Sequence, residues 1–368
     1  MQQIGNNQTG NNIYEKRLNG LRGKLREINA DAALITKREN YMYLSGFTGT
    51  FANLIITQDS AFLITDFRYV EQAAQQAGLF EIVRYDGKLE DTLNELLSDR
   101  NVNVLGFEES YLSFAEYNKY KGKFNVKEFV PLDGAVEDLR MVKDETEIDI
   151  IRKAVQIADN AFTHILGYIK PGMTEVEIAA ELEYFMKKQG AEGASFETIV
   201  ASGLRSSMPH GVASEKKVEP GDVITMDYGA IYKGYCSDMT RTVFIGKPKK
   251  ELEHIYNIVL EAQLKSLEGA HKGLKGKEID HIARKIITDA GFGENFGHSL
   301  GHGVGLEIHE EPRFSPSSNQ VMENGMAVTV EPGIYVTGVG GVRIEDIIII
   351  NDQNPVVLTK SPKELIVL

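Results

Sequence analysis

The sequence predicts an α/β first domain followed by an α+β second domain that contains an internal repeat. Between Ile13 and Val130, short apolar segments alternate with amphipathic ones, which is typical of strands alternating with helices. The residues that break this pattern are Pro131, Asp133 and Gly134. Beyond them, a shift of 101 residues brings one stretch of the chain onto another. We therefore expect a disordered tail over residues 1–12, a first domain over residues 13–133 and a second over residues 140–368.

The tail is rich in Gln, Asn, Gly and Thr and has no apolar pattern to pack. In the first domain, period-two segments predict four strands, with a hairpin turn at 58–60 between the second and the third. These strands are Ala32–Thr36, Asn53–Thr57, Ala61–Thr65 and Val102–Phe107. Segments with helical periodicity predict helices at Tyr14–Ile28, Tyr69–Ala77 and Leu89–Leu97.

Two capping boxes predict where helices of the second domain begin. Asp144 precedes Glu147 by three residues, and Thr174 precedes Glu177 by the same interval. The second of these helices ends at Gly190. Under the 101-residue shift, glycines, a capping glutamate and an isoleucine recur, as Gly172/Gly273, Glu177/Glu278, Ile178/Ile279 and Gly190/Gly291. The order of elements therefore predicts two copies of one unit, each a helix pair leading into strands.

Each copy is expected to contain a β-hairpin that presents two carboxylates. Asp227 and Asp238 are equidistant from a point between Tyr232 and Lys233, so a turn there would place them opposite one another. Glu331 and Glu345 are likewise symmetric about the glycine-rich loop 337–341. Facing carboxylates of this kind suit a shared pair of cations.

Composition excludes several classes of function. The formal net charge is −13, and no basic stretch offsets it, which argues against nucleic acid and anionic membranes as partners. No apolar run approaches the roughly 18 residues of a transmembrane helix, and no secretory signal opens the chain. The single cysteine, Cys236, cannot form an internal disulfide and is expected to be structural. We expect a cytoplasmic protein.

The residues with the clearest chemistry are four carboxylates and one imidazole. Oxygen ligands with a single histidine suit two hard divalent metals, which activate water and polarise a carbonyl in hydrolases. A lone carboxylate at a strand end is more often a salt-bridge partner, but Thr240 and Thr242 are placed to hydrogen-bond the oxygens of Asp238. The set comprises Asp227, Asp238, His302, Glu331 and Glu345.

Three further histidines lie in glycine- or proline-marked contexts, at positions 210, 298 and 309. His298 and His302 have the spacing of a helical zinc site, yet four glycines between 297 and 305 make a helix improbable and favour a loop entering a strand. Arg343 shares a strand face with Glu345, where it could orient the carboxylate or bind substrate.

This ordered set resembles the pita-bread metallopeptidases, specifically the branch of Xaa-Pro aminopeptidases and Xaa-Pro dipeptidases. The resemblance covers the chain after residue 12, and the segments around 45–49 and 65–69 resemble the creatinase-like N-terminal domain of that branch. It implies a C-terminal pita-bread domain with a pseudo-twofold repeat around a curved antiparallel sheet. It also implies a homodimer acting on proline-containing peptides.

The resemblance implies a role for each residue. Asp227 would chelate one metal, His302 and Glu331 the other, and Asp238 and Glu345 both. A bridging hydroxide would attack the carbonyl before proline. His210 and His309 would line the substrate site and stabilise the tetrahedral intermediate or the leaving proline nitrogen. His298 would lie at the substrate pocket, Arg343 would support the bridging carboxylate, and Glu331 or a histidine would move the proton. Arg313 is the further candidate for binding the substrate. Manganese is the expected ion, with cobalt or zinc as alternatives.

Three functions stay open at this point. The first is an Xaa-Pro aminopeptidase acting on longer peptides, which the sequence favours, and the second is a dipeptidase restricted to Xaa-Pro. Arg313 resembles an arginine that meets a dipeptide's carboxylate in dipeptidases, but related aminopeptidases share it. The third is a binding protein that has lost catalysis, which the complete ligand set disfavours.

Overall fold

A computed structural model describes residues 3–368, and the side chains from Ile13 onward. The described chain divides into two compact units, one ending at Arg140 and the other beginning at Met141. Helix α1 has the bounds Gln3–Glu27 and so begins within the predicted tail. Met1, Gln2 and the side chains of residues 3–12 lie outside the described part, and the tail stays a prediction.

The first unit is an α/β domain built on one six-stranded sheet. Its strands are β1 (Ala32–Ile35), β2 (Asn53–Thr57), β3 (Ala61–Thr65), β4 (Glu81–Arg84), β5 (Val104–Phe107) and β6 (Glu128–Pro131). The spatial order is β4-β3-β2-β1-β5-β6. Strand β2 is antiparallel to both of its neighbours, β1 and β3, and the other three pairs in the sheet are parallel. The helices after α1 are α2 (Arg38–Ser45), α3 (Val70–Gln76), α4 (Leu89–Asp99), α5 (Phe114–Lys123) and α6 (Ala135–Met141).

The four predicted strands of this unit are confirmed to within two residues, as are α3 and α4. Two outer strands, β4 and β6, were not predicted, because each is only partly buried and lacks a continuous apolar run. Helix α6, which follows the residues that break the apolar pattern, was not predicted. It begins directly after Asp133 and Gly134, which adopt positive φ angles of 51° and 70°.

The second unit contains the two copies predicted from the 101-residue shift. Its helices are α7 (Glu145–Tyr168), α8 (Glu175–Lys188), α9 (Lys250–Gly269) and α10 (Gly276–Asp289), so α8 and α10 are offset by that interval at both ends. Both predicted capping boxes are present, at Asp144 and Thr174. Helix α8 ends at Lys188, just before Gly190.

The strands of the second unit form two matching meanders. The longer strands are β8 (Ile199–Ser202), β9 (Val223–Tyr228) and β12 (Met239–Phe244) in the first copy, after the short β7 (Gly193–Ala194) and with β10 (Ala230–Tyr232) and β11 (Tyr235–Cys236) between β9 and β12. The second copy has β13 (Gly301–Gly303), β14 (Glu310–Phe314), β15 (Ala327–Val330), β16 (Gly333–Val336), β17 (Gly340–Arg343) and β18 (Asp346–Ile349), followed by β19 (Val356–Val357) and β20 (Ile366–Val367).

In the first copy β9 pairs antiparallel with β8 and β12, and in the second β15 pairs antiparallel with β13 and β18. A hairpin is inserted in each copy between its second and third meander strand, β10–β11 in one and β16–β17 in the other. Each helix pair packs on its own meander, with separate buried apolar clusters for α7 and α8 and for α9 and α10. Among the described residues, no helix combines the length and the apolar character needed to cross a bilayer.

Candidate metal centre

The four carboxylates and the imidazole singled out in the sequence converge on one cavity of the second unit. The cavity has a volume of about 450 Å³. Besides those five side chains, it is lined by polar, aromatic and aliphatic residues, namely Phe196, Glu197, Ile199, Pro209, His210, Val212, His298, Ser299, Ile308, His309, Tyr335 and Arg343.

The first carboxylate pair is positioned by the inserted hairpin of the first copy, but not as predicted. Asp227 lies on β9 and pairs with Thr240, whereas Asp238 lies between β11 and β12. The predicted opposition of the two aspartates is therefore wrong. The turn is centred between Lys233 and Gly234, which both adopt positive φ, at 48° and 79°. Two-residue hairpin turns of this type require positive φ at both positions, and glycine is the residue that adopts it at least cost.

The second pair has the predicted symmetry. Val330 pairs with Asp346 in one ladder, and Gly333 pairs with Arg343 in the next. Glu331 directly follows Val330, and Glu345 directly precedes Asp346. The two glutamates therefore lie opposite one another between the two ladders, which share the same register. This arrangement aims both carboxylates into the cavity from neighbouring strands.

His302 lies on β13, and the glycines around it allow backbones to approach closely. A Cβ on Gly301 would lie 1.9 Å from the carbonyl oxygen of Thr329, and one on Gly303 would lie 2.3 Å from that of Glu311. The prediction of a loop entering a strand is confirmed, since His298 precedes β13 and His302 is within it.

The imidazole of His302 presents one nitrogen to the carboxylates. Its Nδ1 donates to the carbonyl oxygen of Gly303 at 3.1 Å, while Nε2 lies 3.3 Å from Glu331 Oε1 and 3.5 Å from Asp238 Oδ2. Burial lowers the pKa of His302 to about 3, so the ring is neutral near pH 7. The Nε2 lone pair is therefore available to a cation, with the tautomer fixed by the backbone.

Burial and mutual repulsion disfavour charge on the carboxyl groups. Burial, followed by the charges of Glu345 and Asp227, raises the pKa of Asp238 well above its usual range. Burial, followed by Glu331 and Asp227, does the same to the pKa of Glu345. Burial raises the pKa of Glu331 to about 8, against the lowering effect of Arg343. A cation among them would relieve this repulsion.

Arg343 and Thr240 hold the carboxylates from behind. Arg343 donates from Nη2 to Asp227 Oδ2 at 2.5 Å and from Nε to Thr240 Oγ1 at 2.9 Å. Thr240 in turn donates to Glu345 Oε2 at 2.7 Å. The prediction that Thr240 and Thr242 bind Asp238 is wrong, because Asp238 precedes β12, Thr240 donates to Glu345 and Thr242 donates to the Arg343 carbonyl oxygen.

The donor set fits divalent metal ions. Single ligand atoms of Asp238, His302 and Glu345 all lie within 4.8 Å of one another. Two further carboxylate oxygens, Asp227 Oδ1 and Glu345 Oε1, are buried with no hydrogen-bond donor. Buried carboxylate oxygens without a donor are costly unless a cation binds them. Oxygen atoms with one imidazole nitrogen are the ligands of hard or borderline divalent ions.

The three further histidines differ in what their rings can do. His298 donates from Nδ1 to the Ser299 carbonyl oxygen at 2.8 Å, and its Nε2 accepts from the Tyr335 hydroxyl at 3.0 Å. Burial lowers its pKa to about 4. Because both ring nitrogens are hydrogen-bonded to protein groups, His298 lines the cavity with its ring and has no unpaired nitrogen there.

His210 and His309 are exposed on the cavity wall. The ring of His309 packs edge-on against His302, with 4.4 Å between centroids, and burial followed by the charge of Arg313 lowers its pKa. Arg313 does not line the cavity. It pairs with His302 across β13 and β14, and its side chain is half-exposed beside Glu311.

Sequence patterns did not single out Tyr335, which lines the cavity and links two predicted residues. Its hydroxyl accepts from Arg343 Nη1 at 2.8 Å and donates to His298. Burial raises the pKa of Tyr335 to about 12, so it remains protonated near pH 7. One signal in the sequence could have identified Tyr335, namely its position in the hairpin around residues 337–341. In that hairpin Tyr335 pairs with Gly341, two residues before Arg343.

Known families match both units. Residues 149–352 match the family described as metallopeptidase family M24, and residues 17–142 match the creatinase/prolidase N-terminal domain. A curated Xaa-Pro dipeptidase of Pyrococcus furiosus is 44% identical over 353 residues, which is 96% of this chain and 100% of that protein. A peptidase of Bacillus subtilis is 47% identical, with coverage of 96% and 100% respectively.

Solved structures agree with the sequence matches. An Xaa-Pro dipeptidase of Bacillus anthracis has a TM-score of 0.95 at 51% identity, covering 96% of this chain and 100% of that one. An X-Pro aminopeptidase of Thermotoga maritima has a TM-score of 0.89 at 44% identity, covering 94% of this chain and 99% of that one. The creatinase-type first domain and the pita-bread second domain are therefore confirmed as the fold.

Proposed function

The chain belongs to metallopeptidase family M24, in its Xaa-Pro peptidase branch, and from that membership we propose that it hydrolyses the Xaa-Pro bond of dipeptides with two divalent metal ions. The observation that carries the proposal is the convergence of five side chains with metal-binding atoms on one cavity, namely Asp227, Asp238, His302, Glu331 and Glu345. Binding proteins that have lost catalysis have no need of such a set.

Asp227 would hold one ion, His302 and Glu331 would hold the other, and Asp238 and Glu345 would contribute to both. Asp227 Oδ1 and Glu345 Oε1 are buried without a hydrogen-bond donor, which supports these two residues as metal ligands. Bound divalent ions supply Lewis-acid polarisation of the scissile carbonyl and a nucleophile from water near neutral pH. Manganese suits the oxygen-rich set, and cobalt or zinc is the alternative.

The other residues of the chain position the substrate and move protons. Glu331, which lies in the cavity beside His302, is the candidate to pass a proton toward the proline nitrogen. His210 and His309 face the cavity with rings that can donate a hydrogen bond to a developing oxyanion. Arg343 and Tyr335 fix Asp227 and His298 from behind.

A dipeptidase is favoured by the names of the relatives, since the proteins of P. furiosus and B. anthracis are both called Xaa-Pro dipeptidases. Arg313 contributes a positive charge near His302 and His309, where a dipeptide's terminal carboxylate would find a counter-charge. The earlier preference for an aminopeptidase remains as the second candidate. It is supported by the T. maritima protein, which is 44% identical and is called an X-Pro aminopeptidase.

One assay tests both candidates. Chelated protein is reloaded with Mn²⁺ and its kcat/KM is compared on Ala-Pro and on Ala-Pro-Ala-Ala. Faster cleavage of the dipeptide supports the proposal. Faster cleavage of the tetrapeptide replaces it with the aminopeptidase, and no cleavage of either peptide with Mn²⁺, Co²⁺ or Zn²⁺ overturns both.

We also propose a homodimer, as the family resemblance implies, and a cytoplasmic location, which the single cysteine fits. Light scattering should return twice the chain mass of 40.9 kDa. A mass of one chain would contradict it.

A further inference from the structure

A buried carboxylate outside the proposed metal centre organises one wall of the cavity. Glu175, in the first turn of α8, is fully buried and accepts five hydrogen bonds from the segment 202–214. Oε1 accepts from the backbone N–H and the hydroxyl of Ser202, at 2.7 and 2.8 Å. Oε2 accepts from Arg205 Nε at 2.9 Å and from the N–H and hydroxyl of Ser214, at 3.1 and 2.6 Å. One side chain thus fixes both ends of the segment.

The same segment carries His210 into the cavity. The His210 ring makes no hydrogen bond within residues 13–368, so its position depends on the backbone that carries it. That backbone is held at several points: Arg205 Nη2 donates to the Val212 carbonyl oxygen at 2.6 Å, and Arg343 Nη1 donates to that of Pro209 at 3.2 Å. Leu204 and Met208 are more than half exposed, so little apolar packing adds to these bonds.

We propose that Glu175 is a positioning residue for His210. It fixes the segment 202–214 so that the imidazole meets the substrate, and the inference rests on the proposed peptidase function for the role of His210. Without the carboxylate, the buried N–H of Ser202 and the Arg205 guanidinium lose their acceptor, and buried donors without acceptors drive a local rearrangement. The segment supplies none of the proposed metal ligands, so metal binding should be spared.

In the second copy of the repeat, different residues hold the segment that carries a cavity histidine. At the position that matches Glu175 it has Gly276, where a Cβ would lie 2.1 Å from the Arg313 carbonyl oxygen. The segment that carries His298 is held instead by Asp280, which accepts from the Leu300 N–H at 3.1 Å, and by Arg284, which donates to the His298 carbonyl oxygen at 2.8 Å. Each histidine therefore has its own anchor, and the two can be tested separately.

The test is a double-mutant cycle in the manganese-loaded protein. Glu175→Gln should lower kcat by about 10- to 100-fold, the range typical of residues that orient a site, with Mn²⁺ affinity unchanged by calorimetry. In a His210→Ala background the same substitution should have almost no further effect, whereas in a His298→Ala background the full loss should persist. The matched control is Glu177→Gln, which removes an exposed capping carboxylate from the same helix turn and should leave kcat unchanged.

A second readout does not depend on activity. Trypsin should cut after Arg205 faster in Glu175→Gln than in the wild type or in Glu177→Gln, because the segment is released. If Glu175→Gln does not fold, Ser214→Ala removes a single donor and should change kcat and trypsin cleavage in the same directions to a smaller extent.

An undiminished effect of Glu175→Gln in the His210→Ala background would overturn the proposal, as would unchanged trypsin cleavage. If the wild type cleaves no Xaa-Pro substrate, the proposed function fails, and the trypsin result alone decides whether Glu175 anchors the segment.

Discussion

Arg343 donates from Nη2 to Asp227 Oδ2, while Asp227 Oδ1 is buried without a donor. The guanidinium therefore satisfies one oxygen and leaves the other for a cation. Arg343 also donates to Thr240 Oγ1 and to the Tyr335 hydroxyl. One planar guanidinium therefore orients side chains on two sides of the centre.

Arg343→Lys should lower kcat/KM on Ala-Pro by about 10- to 100-fold, because one ammonium cannot reproduce the forked contacts to Asp227, Thr240 and Tyr335. Steady-state kinetics with saturating Mn²⁺ measures the loss. Arg152→Lys on the exposed face of α7 is the comparison, and an equal loss in both variants would contradict the assigned role of Arg343.

Thr240→Val keeps the shape of the side chain but removes its hydroxyl. Glu345 Oε2 then loses its donor and Arg343 Nε its acceptor. We expect Mn²⁺ affinity to fall by about tenfold or more, with the fold preserved. Calorimetry and a thermal melt measure the two quantities, and Thr163→Val on the exposed side of α7 is the control. Unchanged affinity would show that the hydroxyl does not orient Glu345.

Metal affinity should increase with pH. In the metal-free protein Glu331 has a pKa of about 8 and the pKa values of Asp238 and Glu345 are raised, so these groups hold protons that a metal must displace. Each proton released adds up to about tenfold in affinity per pH unit below the pKa. His302, with a pKa of about 3, contributes no proton above pH 5.

Calorimetry of Mn²⁺ binding at pH 6, 7 and 8, in two buffers with different ionisation enthalpies, measures both the affinity and the protons released. Glu331→Gln should release fewer protons than the wild type. An affinity independent of pH would contradict the raised pKa values.

His302→Ala and Asp238→Ala should lose bound metal and Xaa-Pro cleavage together. Both residues contribute to a group of ligand atoms that lie within 4.8 Å of one another, so the loss of either one removes a proposed ligand from the centre of the site. Metal content by elemental analysis, after chelation and reloading, is compared with kcat. Full activity in either variant would contradict the ligand assignment, and His281→Ala on α10 serves as the control.

Local patterns in the sequence gave correct predictions where the feature depends on residues within one helix or one hairpin. The capping boxes at Asp144 and Thr174 begin helices as predicted, because each is satisfied by groups within four residues. The offset of 101 residues matches α8 to α10, and Gly190 and Gly291 both adopt the positive φ that follows a helix end. The symmetry of Glu331 and Glu345 also held, since their hairpin has an unbroken register.

Sequence patterns failed in the first copy, where the position of one hairpin turn sets which residues pair across two strands. The turn at Lys233 and Gly234 places Asp227 opposite Thr240, whereas the sequence placed it opposite Asp238. The contribution of Tyr335 was missed for a related reason, because its two partners, His298 and Arg343, come from separate segments. The hairpin spacing indicates the contact with Arg343, but no local spacing predicts the contact with His298.

The sequence by itself determined the family, the two domain types and the five candidate ligands, because residue identity and order carry that information. Only the tertiary structure decided which donor serves which oxygen, that His298 has both nitrogens engaged, and that Glu175 fixes the segment bearing His210. Hydrogen bonds depend on distances of a few tenths of an ångström between residues far apart in the chain. Those distances are set by strand register and helix packing, which a linear pattern does not contain.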